Sequence, residues 1–316
     1  MIWVSWRRQR TETLITVALL ALLAALLVPT GIEMASTFDR DGIGACLGAQ
    51  PGDACASALA SFNSRFDSLN SFIAWLTLIP GLVGVLLAAP LVLELEQRTH
   101  RLAWTQSVSR ARWLAGKLGF AIAVAVAASL VFTLLVTWWR APIVRINGRM
   151  DQSVFDSEGT VVFGYTLFAL GLASAVGVVW RRAAASLVVG FVGYFAVRVF
   201  VDTWLRQRFL SPVTTTFNLL SSGPDKLRHA WVFSQYPSDR AGHHVPIPFG
   251  LCGPPPAGGG KPEIGNCLAS HGIFTRATYL PASSFWTLQA IETALFCGVA
   301  LVLLAFAAWW TYRRAD

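Results

Sequence analysis

The sequence predicts an all-α membrane protein with six transmembrane helices, on three observations. The first is composition. Of the 316 residues, 54% are hydrophobic and only 13% charged, and the mean hydropathy is +0.54, whereas soluble domains carry about 25% charged residues. The second is a set of six apolar runs, each close to the ~20 residues that cross a bilayer: Leu14–Ile32, Phe72–Leu93, Leu114–Trp139, Val161–Trp180, Ala183–Val201 and Phe285–Trp310. The third is the 13 Trp and 20 Phe, residues that favour the membrane–water boundary.

Each element has a local reason. In "MIWVSWRRQRTE", Trp3 and Trp6 are three apart and share a helical face, with arginines following; residues 1–12 are expected to lie as an interfacial helix. The first span has the basic flank of a signal peptide, but its apolar core is longer than a signal core and no small-residue cleavage site follows. It is expected to be retained, with Pro29 at its outer end. Residues 33–70 form a first outer loop, turn-rich through "DRDGIGACLGAQPGDAC" and helix-prone through "ASALASFNSRFDSLNSF". Residues 202–283 form a large outer loop containing "FGLCGPPPAGGGKPEIGNC", expected as an irregular extracellular cap because loops of this length are functional or loosely ordered.

Charge sets the expected orientation. With both termini cytoplasmic, the inner side holds twelve basic residues against four acidic ones (Glu12, Glu94, Glu96 and Asp316), and the outer loops balance at twelve each. The whole +8 therefore falls on one side, as the positive-inside rule requires. The same asymmetry argues against a nucleic-acid surface. Cysteines agree. Cys46 and Cys55 fall in the first outer loop and Cys252 and Cys267 in the last, while Cys297 stands alone in a span. Four cysteines on the oxidising side suggest disulfides, with three pairings open and the local pairs Cys46–Cys55 and Cys252–Cys267 as the default. A zinc site from His243, His244, Cys252, Cys267 and His271 is the weaker reading, so no metal is expected.

The most informative stretch is "ELEQRTHRLAWTQSVSRARW", residues 94–113. Thr99 is placed to cap a short helix over Thr99–Gln106, and Ser109 to cap the third span with Arg110 and Arg112 just inside it. Trp104 and Trp113 suit the interface. Glu94 and Glu96 stand where the second span leaves lipid, a costly place for carboxylates without partners; Arg98, Arg101 and Arg110 are the nearby candidates. A plain stop-transfer flank explains the arginines but not the paired carboxylates or the compact helix.

Glu94-x-Glu96, Thr99, His100, Arg101, Leu102, Trp104, Ser109-Arg110, Trp113-Leu114 and Lys117 resemble the cytoplasmic signature of ABC transporter permeases of the type-2 exporter class. That family has an acidic residue, Gly-Thr, a coupling helix, Pro-x-Ser-Arg and a Lys in the next span. Here Arg98 stands for the Gly and Ser107 for the Pro, as in an actinobacterial-type branch that reads ELE-x-x-THRLAWTQSVSR-x-RWL. "WVSWRRQR" and "FWTLQAIETALF" are similar too. The resemblance implies a single permease domain over 1–316 in a bacterial plasma membrane, with a cytoplasmic coupling helix between spans 2 and 3. It implies a separate ABC ATPase subunit carrying ATP and Mg, and a second permease chain in a homo- or heterodimer. It also implies no catalytic residues or cofactor in this chain, while apolar walls with few charges suggest a small lipophilic substrate. "AGKLGF" lacks the upstream Gly and the Ser/Thr of a phosphate loop.

Within the spans, Arg198 and Glu292 lie at similar depth, on the order of 6–8 Å outward of their span centres. They are expected either to pair and brace an outer gate or to face water separately. Gly164, Gly171, Ala175, Gly190 and Gly193 permit close helix packing. Two other readings compete: an intramembrane or membrane-anchored enzyme, for which the spans lack the acidic and His groupings, and a membrane sensor whose outer loop binds a ligand.

Overall fold

The computed structural model describes residues 2–47, 53–97, 109–218, 227, 229–248, 250–253 and 261–314. Its described helices are α1 (Ile2–Arg40), α2 (Ile43–Cys46), α3 (Asp53–Leu76), α4 (Ile79–Glu96), α5 (Arg110–Asn147), α6 (Gln152–Phe155), α7 (Val161–Trp180), α8 (Ala183–Phe200), α9 (Lys261–Ser270) and α10 (Phe285–Arg314). Among the described residues, six helical stretches are long and apolar enough to cross a membrane: Gln9–Arg40, Ala54–Glu96, Ala111–Asn147, Val161–Trp180, Ala183–Arg208 and Ala282–Arg313. They contain the six runs expected from sequence.

The chain divides into two compact units. One comprises residues 1–146, 152–207 and 289–316, and the other 147–151 and 208–288. The first unit is helical, and α4 and α7 form its centre. Their apolar windows are 72% and 78% buried, against 22–33% for the other spans. Leu22 on α1, Val188 on α8 and Leu301 on α10 are more than 60% exposed, as expected of residues facing lipid tails. In lipid, helices associate through close packing rather than water exclusion, so small residues matter. A Cβ on Gly84 of α4 would lie 2.2 Å from Thr166 O of α7, and one on Gly190 of α8 would lie 2.8 Å from Ala173 Cβ. A second apolar cluster joins α1, α3 and α5 through Leu27, Met34, Phe62, Phe66, Phe132 and Trp139. The Trp139 indole donates to Thr30 Oγ1 at 3.0 Å.

Three local expectations differ. Residues 2–12 are not a separate helix but continue into α1. Pro29 sits inside α1, which runs on to Arg40. Most of 33–70 is helical, as extensions of the first two spans, with Cys46 bonded to Cys55. The second span is interrupted at Thr77 and Leu78, before Pro80 in the first turn of α4. Proline has no N–H to donate there.

The second unit corrects the all-α expectation. It holds an antiparallel sheet of β1 (Val213–Asn218), β2 (Trp231–Ser238) and β3 (Phe274–Leu280) in the order β1-β3-β2. The register pairs Val213 with Tyr279 and Trp231 with Leu280, with an irregularity between Val232 and Ser234. "VTTTFN" and "FTRATYL" are rich in β-branched and aromatic residues that fit a pleated surface. Along central β3 the burial alternates, with Thr275, Ala277 and Tyr279 turned inward. The Cys252–Cys267 disulfide fixes α9 to the segment before it. Both cysteine pairs are therefore the local ones.

Candidate functional site

At one end of the helical unit, the carboxylates that open the 94–113 stretch are rooted in two different spans. The Glu94 carboxylate meets Lys117 Nζ of α5 at 2.6 Å, with the two side chains only 15% and 6% exposed. Lys117 also lies 5.6 Å from the Trp113 ring centroid, within cation–π range. Glu96 Oε2 accepts from the Ala183 N–H at 2.8 Å. Ala183 is the first residue of α8, and its Arg182 cap makes no side-chain hydrogen bond, so Glu96 supplies the N-cap from another helix. The chain reaches α8 through Arg181, held at φ 54°, in a two-residue turn from α7. Ser109 Oγ accepts from Arg112 N at 3.4 Å and Ser109 O from Trp113 N at 3.0 Å, so Ser109 caps α5 as its position suggests. Arg110 is the first residue of α5. Thr99, His100, Arg101, Leu102 and Trp104 lie outside the described residues.

At the other end of α7 and α8 lies a buried ionic network. Arg198 and Glu292 both belong to it, but each is held by other groups. Arg198 Nη2 donates to Asp156 Oδ2 at 2.6 Å and Nη1 to Thr77 O at 2.9 Å. The carbonyl of Thr77 is available because the second span breaks there. Glu292 is held by Arg206, whose Nε donates to Oε2 at 2.8 Å and Nη2 to Oε1 at 2.9 Å. This two-pronged geometry is one a guanidinium offers and an ammonium does not. Arg206 also donates to Asp156 Oδ1 and Asp202 Oδ1 and lies over the Phe155 ring at 4.4 Å. The Tyr165 hydroxyl, 3.0 Å from Asp156 Oδ1 and closer still to Glu292 Oε1, gives its single proton to one carboxylate at a time. It accepts from Arg206 Nη2 at 3.1 Å. Burial pushes the Asp156 carboxyl up, but the Arg206 and Arg198 guanidiniums outweigh it and hold the group below its ordinary value of 3.8.

Gln289 fastens this region to α10. Its amide donates to Phe155 O at 2.9 Å and Glu158 O at 3.2 Å, and its oxygen accepts from Val161 N at 2.9 Å. Gly159, at φ +74°, is required there, since a Cβ would approach Gln289 Oε1 to 2.8 Å. Charged groups on α8, its continuation and α10 thus meet Asp156 and Tyr165 with little exposure. Such an arrangement resists separation, because parting it strands charges in a low-dielectric setting.

Sequence reasoning reached Arg198 and Glu292 and missed Asp156, Asp202, Arg206, Tyr165 and Gln289. A signal was present for two of them. Arg198, Asp202 and Arg206 are spaced by four and fall on one face if the helix continues, and it does, through a π turn at Val201–Leu205 and a tighter turn at Arg206–Arg208. Asp156 carries no comparable local pattern.

Residues 17–206 match the family model described as ABC-2 membrane transporter related. No curated protein and no solved structure matches. The matched stretch covers more than half of the chain, includes Glu94, Glu96, Lys117 and Ala183, and closes on Arg206. The chain belongs to the ABC-2 membrane transporter related family.

Proposed function

We propose that this chain is the transmembrane permease half of an ATP-driven ABC exporter in a bacterial plasma membrane. Its termini and the 94–113 segment face the cytoplasm, and Thr99–Gln106 is the coupling helix that seats on a separate ATPase subunit. ATP and Mg belong to that subunit, a second permease chain completes the translocation path, and the cargo is a small lipophilic molecule. Family membership supports the class, since such proteins are generally non-catalytic membrane subunits.

The observation that carries the mechanism is the double rooting of the segment. A push on the coupling helix reaches α5 through Glu94 and Lys117, and α8 through Glu96 and the Ala183 N–H. α8 then carries it to Arg198 and, beyond its last turn, to Arg206. Eighteen residues of α8 span about 27 Å at 1.5 Å per residue, a bilayer-scale lever. The ionic network is the closed-state lock that the stroke opens, a two-state element biased by nucleotide on the partner.

The test is to purify the chain with its co-purifying ATPase, reconstitute the complex and measure substrate-stimulated ATP hydrolysis and transport. Deletion of Thr99–Gln106 is expected to leave membrane insertion intact and to uncouple transport from hydrolysis. Normal transport after the deletion would refute the proposal.

A further inference from the structure

We infer that Cys252, Cys267 and His271 become a zinc site when the Cys252–Cys267 disulfide is reduced. The inference is independent of the exporter reading. In the oxidised chain the disulfide ties α9 to the segment before it; in the reduced chain a Zn2+ ion makes the same tie. Of the five residues in the zinc reading of the sequence, the fold gathers these three, with one ligand atom from each lying within 4.8 Å of the others. His243 is instead engaged with Asp239, and the His244 ring lies 6.0 Å from that of Tyr236.

The local fold fixes two of the ligands. Cys267 lies in the last turn of α9, and His271 follows it by four residues, a spacing that puts both side chains on one face. The His271 N–H donates to Leu268 O at 3.1 Å, and the Ile273 N–H donates to the same carbonyl at 2.9 Å. Leu268 and Ile273 are buried, which anchors the turn on both sides of the histidine. Gly272 takes the left-handed conformation, φ +77°, that ends the helix. His271 Nδ1 sits 3.9 Å from Cys267 Sγ; its other neighbours are Cys267 O at 2.9 Å and Ser270 Oγ at 3.4 Å. Zn–S and Zn–N bonds of about 2.3 and 2.0 Å at tetrahedral angles put sulfur and nitrogen about 3.5 Å apart and two sulfurs about 3.7 Å apart. The first distance is nearly in place. The second is within reach of side-chain rotation, since the cysteine Cα atoms are 5.9 Å apart. Both cysteines are half-buried and His271 is exposed, so an ion enters from water, and water supplies the fourth ligand as in open zinc sites.

A dithiol reductant breaks the S–S bond by exchange, gives up two electrons and becomes a disulfide, and both cysteines end as thiols. Zn2+ then forms two Zn–S bonds and one Zn–N bond, and the two thiol protons pass to solvent. The imidazole binds through the Nδ1 lone pair and keeps its proton on Nε2. Thiolate and imidazole ligands suit Zn2+ over the oxygen-seeking Mg2+ or Ca2+.

The full-length chain in phosphatidylcholine nanodiscs is reduced with dithiothreitol, freed of it under argon and titrated with Zn2+, with bound metal counted by mass spectrometry. Co2+ in a parallel titration reports thiolate ligation by its charge-transfer absorption. Reduction also opens Cys46–Cys55, so the site is read as the zinc lost in Cys252→Ser. One such zinc per chain is expected after reduction and none in the oxidised chain. Reduced His271→Ala should bind it about a hundredfold more weakly, the upper end of what losing even an outer-shell partner brings. This variant keeps the disulfide when oxidised, so its fold is checked in that form. Zinc uptake unchanged by either substitution, or equal uptake by the oxidised chain, overturns the assignment. So does a reduced chain that takes up no zinc, folded or not, because the ion would itself restore the tie.

Discussion

Removing Arg206 should be the most damaging single change in the helical unit. Its side chain is 1% exposed and donates to Glu292, Asp156, Asp202 and Tyr165. In Arg206→Met, Asp156 keeps Arg198 as a partner. Glu292, at 0% exposure, keeps only the Tyr165 hydroxyl among the hydrogen bonds described above. Breaking a buried ion pair from one side costs about 3–5 kcal/mol, and the retained Asp156–Arg198 contact puts this case near the lower end, about 3 kcal/mol. Glu292→Gln alone leaves Arg206 with Asp156 and Asp202 and should cost about 1.5 kcal/mol, the value of a charged hydrogen bond. The double variant no longer strands Glu292, so its loss should fall about 2 kcal/mol short of the sum of the singles. Arg206→Lys keeps the charge but not the fork and should fall between wild type and Arg206→Met. The assay is reversible unfolding of the full chain in mixed micelles, followed by circular dichroism against denaturing detergent. A loss below about 1 kcal/mol for Arg206→Met, or strict additivity in the double variant, would refute the buried-charge reasoning.

Other consequences can be read with the same assay. Glu96→Ala removes the borrowed cap of α8 and should cost about 1 kcal/mol. Glu96→Gln keeps an oxygen for the Ala183 N–H and should restore most of it; equal losses in the two variants would contradict the capping role. Gly84→Ala should cost about 1–3 kcal/mol by forcing α4 off α7, and an unchanged midpoint would show that the two helices have slack there. The Asp156 carboxyl titrates below its ordinary 3.8 in the folded state. Its ionised form therefore contributes stability that is complete above about pH 4 and lost as pH falls through the depressed folded value. The stability advantage of wild type over Asp156→Asn should hold from pH 7 to about pH 5 and shrink below about pH 4. An advantage undiminished at about pH 3 would rule out the ion pairs as its source.

The spans and the local disulfides were legible because lipid imposes one pattern on every crossing and the cysteines sit in close sequence pairs. The sheet was harder to see. Val213–Asn218 and Phe274–Leu280 are β-like, but they pair across some sixty residues of Pro- and Gly-rich sequence, and no local rule joins such distant strands. Pro29 misled because proline near an apolar run's end reads as a stop, whereas α1 continues past it. In the candidate site, similar depth put Arg198 and Glu292 at one level, but each is held by other groups, Arg198 by Asp156 and Glu292 by Arg206. Depth carries no information on azimuth, so it could not foresee that Asp156 and Arg206 would stand between them. For the carboxylates at 94 and 96, sequence proximity favoured the neighbouring arginines. Arg98 and Arg101 lie outside the described residues; among those described, Glu94 meets Lys117 and Glu96 meets a helix N-terminus 87 residues away.

If the 94–113 segment delivers the work of a separate ATPase to α5 and α8, it must touch that ATPase. A photo-crosslinking amino acid at Leu102 in the full-length chain, irradiated in intact membranes, reports that contact. A crosslink to an ABC ATPase polypeptide is expected, with a yield that changes between ATP-trapped and nucleotide-free states. Labelling of Leu102 only from the outer face of the membrane, or a crosslinked product containing no ATPase, would contradict it.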